Sequence, residues 1–140
     1  MPFDDHPKQR YPQLCVFIVE DETLLRLMIS EMLEELGHHV SSEAGRIEQA
    51  LLLANAAEFD IALLDVNVAG RLITPIAEIV ASRNRPMIFV TGYGRDGIPG
   101  PFRDRPTVRK PFMLEKLQQT IDHTMAALPD ACGRCDSDPS

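Results

Sequence analysis

No uninterrupted apolar run in the 140-residue sequence approaches the ~20 residues of a membrane-crossing helix, so no spanning segment is expected. Residues 1–10 carry charge and proline where a secretory leader needs an apolar stretch, which makes the cytoplasm the expected location. Positive charge is also scarce: 14 Lys and Arg stand against 21 Asp and Glu, for a net charge of −7. Nucleic-acid affinity rests on cations at phosphates, and no basic stripe offsets the deficit, so no nucleic-acid partner is expected. Cysteine is nearly absent. Cys15 falls in an apolar run and reads as a small core residue, while Cys132 and Cys135 form a CxxC in a polar tail. One such pair supplies at most two zinc ligands, so an unstructured tail is the expectation. His38, His39 and His123 lack metal-ligand spacing and read as surface or partly packed residues. No glycine-rich loop follows the first apolar run, which argues against a nucleotide fold, and there are no internal repeats.

What remains is ordinary for a globular chain, with 44% apolar and 25% charged residues at single-domain length. Residues 1–12, with prolines at 2, 7 and 12, read as a flexible lead-in; 13–128 as one domain; 129–140 as a flexible tail. Apolar runs at 14–19, 61–64 and 87–90, a weaker one at 38–42 and a short one at 107–109 predict strands. Helices are predicted over 23–36, with Thr23 as cap and Gly37 as stop, and over 48–57, 72–82 and 113–128. Pro75 is tolerable only in a first turn. Residues 65–71 are expected as an exit loop. Residues 92–106, with four Gly and three Pro, cannot easily form a regular helix. The alternation predicts a three-layer α/β domain with right-handed crossovers.

The chemistry lies where the apolar runs end. Glu20 and Asp21 follow the first, Asp65 the third, Thr91 the fourth, and Lys110-Pro111 the fifth. In a parallel sheet these ends share one crevice. Asp21 and Asp65 could ligate a hard divalent cation such as Mg2+ (or Mn2+), with Glu20 acting through water and the Asn67 backbone carbonyl as a further ligand. Such an ion resolves the repulsion among carboxylates. Asp65 is the candidate nucleophile for a phosphoryl group, neutralised by metal and by Lys110, with Thr91 donating its hydroxyl to a phosphoryl oxygen. Singly, each residue has a bland explanation in a loop or helix N-terminus; together they do not.

The segments VFIVEDE (16–22), LLDVNVAG (63–70), FVTGYG (89–94) and VRKPF (108–112) give the chain a clear resemblance to the receiver domains of bacterial two-component response regulators. The resemblance covers about 14–128. It implies a flavodoxin-like fold with a five-stranded doubly wound parallel sheet. It assigns Asp65 as phosphoacceptor, Glu20 and Asp21 as the metal pair, Thr91 as the switch hydroxyl and Lys110 as the phosphate-contacting lysine. The implied partners are a sensor histidine kinase and, in a relay, a histidine phosphotransfer protein. Slow self-dephosphorylation is the most turnover it implies, so the chain is not expected to be an enzyme.

Three features depart from the common pattern. Val68-Ala69 stand where Met-Pro is usual, Thr107 stands where an aromatic residue is common, and 92–106 replaces the fourth helix. With Phe89 to Tyr93 they resemble the single-domain "FAT GUY" receivers of alphaproteobacteria. Tyr93 then supplies an aromatic near the site, or 92–106 orders on phosphorylation. Two other readings stay open. An aspartate-nucleophile phosphatase needs a second acid/base carboxylate just after the nucleophile, and position 67 is Asn. A degenerate receiver would act as a phosphorylation-independent protein-binding module. Oligomeric state, cognate kinase and downstream partner are not specified by the sequence.

Overall fold

The computed structural model describes residues 13–92 and 98–127. The predicted lead-in, the tail with Cys132 and Cys135, and Tyr93 lie outside these residues. The elements run β1 (Cys15–Val19), α1 (Thr23–Glu35), β2 (His39–Ala44), α2 (Ile47–Ala56), β3 (Ile61–Asp65), β4 (Asn67–Val68), β5 (Arg71–Leu72), α3 (Thr74–Ser82), β6 (Met87–Thr91), a 3-10 turn (Gly100–Phe102), β7 (Thr107–Arg109) and α4 (Leu114–Ala126). Five strands form a parallel sheet in the order β2-β1-β3-β6-β7, and β4 pairs antiparallel with β5. This is the flavodoxin-like architecture expected from the sequence.

A parallel strand between two helical layers is buried on both faces, which is why the runs are continuous rather than alternating. Every residue of β3 and β6 is buried. Successive side chains enter opposite cores. Phe17, Val19, Leu64 and Phe89 pack with Ala50 of α2 and Ile76 of α3. Val16, Ile18, Leu63 and Ile88 pack with Leu33 of α1 and Leu117 of α4. A one-residue slip of register would exchange the two sets, so the pattern fixes the pairing.

Local chemistry sets the ends of the elements. Gly37, at φ 95, ends α1: its N–H donates to Glu34 O and that of His38 to Leu33 O. These two bonds satisfy carbonyls of the last turn as a Schellman motif does. At the other end Thr23 is the first helical residue rather than the cap; Glu22 holds the cap position, without a side-chain cap bond. Pro75 falls in the first turn of α3, as required. Cys15 is half-buried rather than a core residue, and His38 is buried, its Nδ1 accepting the Leu14 N–H at 3.2 Å.

Two loops differ from expectation. Residues 67–72 are not an irregular loop running into α3 but a hairpin, and Leu72 belongs to β5. Ala69 (φ 53) and Gly70 (φ 85) supply the two left-handed residues of a two-residue type I′ turn. Asn67 Oδ1 accepts the Gly70 N–H at 2.8 Å and stabilises it. Between β6 and β7 the described residues make one 3-10 turn, yet Ile98 and Phe102 are buried in the α2–α3 core. The Phe102 ring lies 6.0 Å from that of Phe89, centroid to centroid. Two apolar plugs thus cover sheet that a longer helix would otherwise cover. No helix among the described residues is long and apolar enough to cross a membrane.

Candidate functional site

β1 and β3 are neighbours, but the chain leaves β1 for α1 on one face and β3 for α3 on the other. The crevice beyond their carboxyl ends is the topological switch point, where such sheets bind ligands. The expected residues converge there. Glu20 and Asp21 follow β1, Asp65 ends β3, Thr91 ends β6 and Lys110 follows β7. A cleft of about 480 Å³ is lined by Asp21, Asp65, Asn67, Leu72, Thr91 and Lys110, among others.

The geometry is dense in negative charge. One carboxylate oxygen from each of Glu20, Asp21 and Asp65 lies within 4.8 Å of the others. Lys110 Nζ stands 3.4 Å from both Glu20 Oε1 and Asp65 Oδ2. The peptide bond from Lys110 to Pro111 is cis, and the Lys110 N–H donates to Thr91 O at 2.8 Å, tying the lysine to the end of β6. Asp65 Oδ1 accepts the Asn67 N–H at 3.3 Å, and Glu20 Oε2 accepts the Glu22 N–H at 3.1 Å. Thr91 lines the same cleft and is itself buried.

One ammonium does not balance these acids. Glu20 is 1% exposed, and burial, then the charge of Asp65, pushes its carboxyl up to about 7. Burial also raises Asp65, against the pull of Lys110. For Lys110 burial disfavours the ammonium, but Asp65 and Glu20 together outweigh it and raise its pKa. Among the described residues Glu20 Oε1 is buried without a hydrogen-bond partner, and Lys110 Nζ stands 3.4 Å from it as an ion pair. Hard oxygen donors, excess negative charge and one orphaned carboxylate oxygen fit a divalent cation of the Mg2+ type. Glu20, Asp21 and Asp65 could hold it. Asn67, whose backbone carbonyl is the fourth expected ligand, also lines the cleft.

Two contributors escaped the sequence reading. Leu72 lines the cleft although 58% exposed, because the hairpin places it there. Arg26 of α1 donates to the Glu20 carbonyl at 2.6 Å. The only signal for it was its standing as the one basic residue in α1.

Fold and site together define a doubly wound signalling-type domain with an acidic crevice and a lysine beside its central aspartate. No family model matches the sequence. Among solved structures the chain is similar to SdrG from Sphingomonas melonis Fr1, with 33% identity, a TM-score of 0.73, and 81% of this chain and 97% of that one covered. A second SdrG structure, of a BeF3-activated conformation and attributed to Pseudomonas melonis Fr1, has 35% identity and a TM-score of 0.66 over 76% of this chain and 92% of that one. The PhyR response regulator REC domain of Erythrobacter litoralis gives 26% identity and a TM-score of 0.72, covering 86% and 98%. The transcriptional regulatory protein PdtaR of Mycobacterium tuberculosis is 32% identical over 111 residues, which are 76% of this chain and 54% of PdtaR. The chain thus spans about half the length of the curated relatives it matches. It belongs to the receiver domains of response regulators.

Proposed function

We propose that the chain takes one phosphoryl group on Asp65 from a phosphohistidine of a sensor kinase or phosphotransfer protein, and signals by protein contact or passes the group onward. The observation that carries this is the placement of Asp65 at the end of a central strand, 3.4 Å from Lys110 Nζ and beside two further acids. An Asp65 oxygen attacks phosphorus; the new P–O bond forms as the P–N bond breaks, and the donor leaves as neutral imidazole after its ring is protonated. Asp21, Asp65 and the Asn67 carbonyl, with Glu20 through water, would hold Mg2+ or Mn2+, which would supply charge neutralisation at the phosphoryl oxygens. Lys110 turns its ammonium from Asp65 to the incoming group, and the Thr91 hydroxyl donates to another oxygen. Asn67 supplies no general base for water, so the acyl phosphate hydrolyses slowly and the chain is an acceptor rather than an enzyme. The BeF3-activated conformation of SdrG supports the same chemistry here.

The rim of the crevice fits a protein donor. Leu24 and Met28 on α1 and Met113 before α4 are exposed. Met28, with Leu25 and Phe112, lines an apolar groove of about 270 Å³ that reaches Lys110. Incubation with Mg2+ and acetyl phosphate, followed by intact mass measurement, tests the proposal. The expected result is one metal-dependent phosphoryl adduct, lost in Asp65→Asn; sustained phosphate release would indicate a phosphatase instead.

A further inference from the structure

Arg26 stands behind the acidic crevice and joins three elements. From α1, its Nη1 donates to the Glu20 carbonyl at 2.6 Å, and its Nε lies 3.3 Å from Glu43 Oε1 on β2. The Glu20 peptide is held from its other side as well, since its N–H donates to Ala44 O at 3.0 Å. Gly45, the next residue, leaves the space the guanidinium fills. A Cβ at position 45 would lie 2.6 Å from Arg26 Nη1 and 3.6 Å from the Glu20 carbonyl oxygen.

We propose that Arg26 is a positioning residue: it fixes the Glu20-Asp21 turn so that both carboxylates face the crevice at the spacing a divalent cation needs, and Gly45 is small to let it. Arg26 touches neither the ion nor the phosphoryl group and acts only through the Glu20 carbonyl. The planar guanidinium suits the task because it serves the carbonyl and Glu43 at once from a fixed fork, which an ammonium cannot. Groups behind metal ligands are known to set affinity through orientation. The inference deepens the receiver reading above and rests on it.

Calorimetric titration of the full chain with Mg2+ tests it, with the thermal midpoint of each variant measured separately without metal. Arg26→Met is expected to weaken Mg2+ binding about tenfold, the lower end for loss of a supporting group. Gly45→Ala displaces a flexible side-chain end rather than backbone, so its fold should persist while Mg2+ affinity falls. Because both changes remove the same contact, the double variant should bind no more weakly than Arg26→Met alone. Arg26→Lys should fall between wild type and Arg26→Met. If Arg26→Met fails to fold, Gly45→Ala carries the test. Wild-type Mg2+ affinity in Arg26→Met or in Gly45→Ala, or fully additive losses, would overturn the proposal even if the thermal midpoints fall. Absence of Mg2+ binding to the wild type would overturn the metal reading itself, and this inference with it.

Discussion

Replacing Glu20 with glutamine separates the charge of the acidic crevice from its shape. The Glu20 carboxyl lies at about 7 in the folded chain against an ordinary value of 4.5. The folded chain therefore binds more protons than the unfolded chain between those values. Its stability rises as pH falls through that window, and the cost of the ionised side chain is fully present above about pH 7. At about 1.4 kcal/mol per pKa unit, that cost is roughly 3 kcal/mol. With EDTA near pH 8, Glu20→Gln should be more stable than wild type by about 2–3 kcal/mol, and the gap should close towards pH 4.5. Urea unfolding followed by far-UV circular dichroism at both ends of the window measures it. Saturating Mg2+ should then narrow or reverse the difference, because a ligand stabilises only the form that binds it. A metal-free variant no more stable than wild type near pH 8 would refute the claim that Glu20 is held ionised at a cost.

Lys110→Gln makes the opposite change, leaving Glu20 and Asp65 without their ammonium. Metal-free stability near pH 8 should fall by about 1–2 kcal/mol, less than for a fully buried pair because the Lys110 side chain is 25% exposed; added Mg2+ should recover most of it. His38 titrates below its ordinary 6.5 because burial disfavours the imidazolium, which outweighs the pull of Asp122. Its share of stability is present above pH 6.5 and lost as pH falls through the depressed value, so the stability of His38→Gln relative to wild type should improve on acidification. Phe102→Ala should cost about 3–4 kcal/mol in urea unfolding, as expected for a large ring removed from a core. A loss below about 1 kcal/mol would show that Phe102 is no plug.

The sheet was legible because each buried strand carries a continuous apolar run, and the site because each run ends in a polar residue at the same edge. Asp65 and Lys110 are 45 positions apart, yet strand order alone brings them to 3.4 Å. The hairpin at 67–72 was not legible: its turn uses Ala69 where Asn or Asp would have signalled it, and its strands are two residues each. Over the described residues 98–106 composition correctly argued against a regular helix but hid the packing, since Ile98 and Phe102 are single apolar residues among glycines and prolines. His38 read as a surface or partly packed residue; it is buried, and its ring accepts a main-chain N–H, that of Leu14, which no side-chain pattern marks. Arg26 was silent for a similar reason: its link to the site is a main-chain carbonyl, that of Glu20, which no side-chain pattern marks.

The central claim is that Asp65 itself receives the phosphoryl group. Treatment with Mg2+ and a phosphodonor, reduction of the acyl phosphate with borohydride and peptide mass mapping tests it most directly. The account predicts conversion of residue 65 alone to homoserine, dependent on metal and on donor. Reduction at Asp21 or Glu20, or a phosphoryl adduct that borohydride leaves untouched, would contradict it.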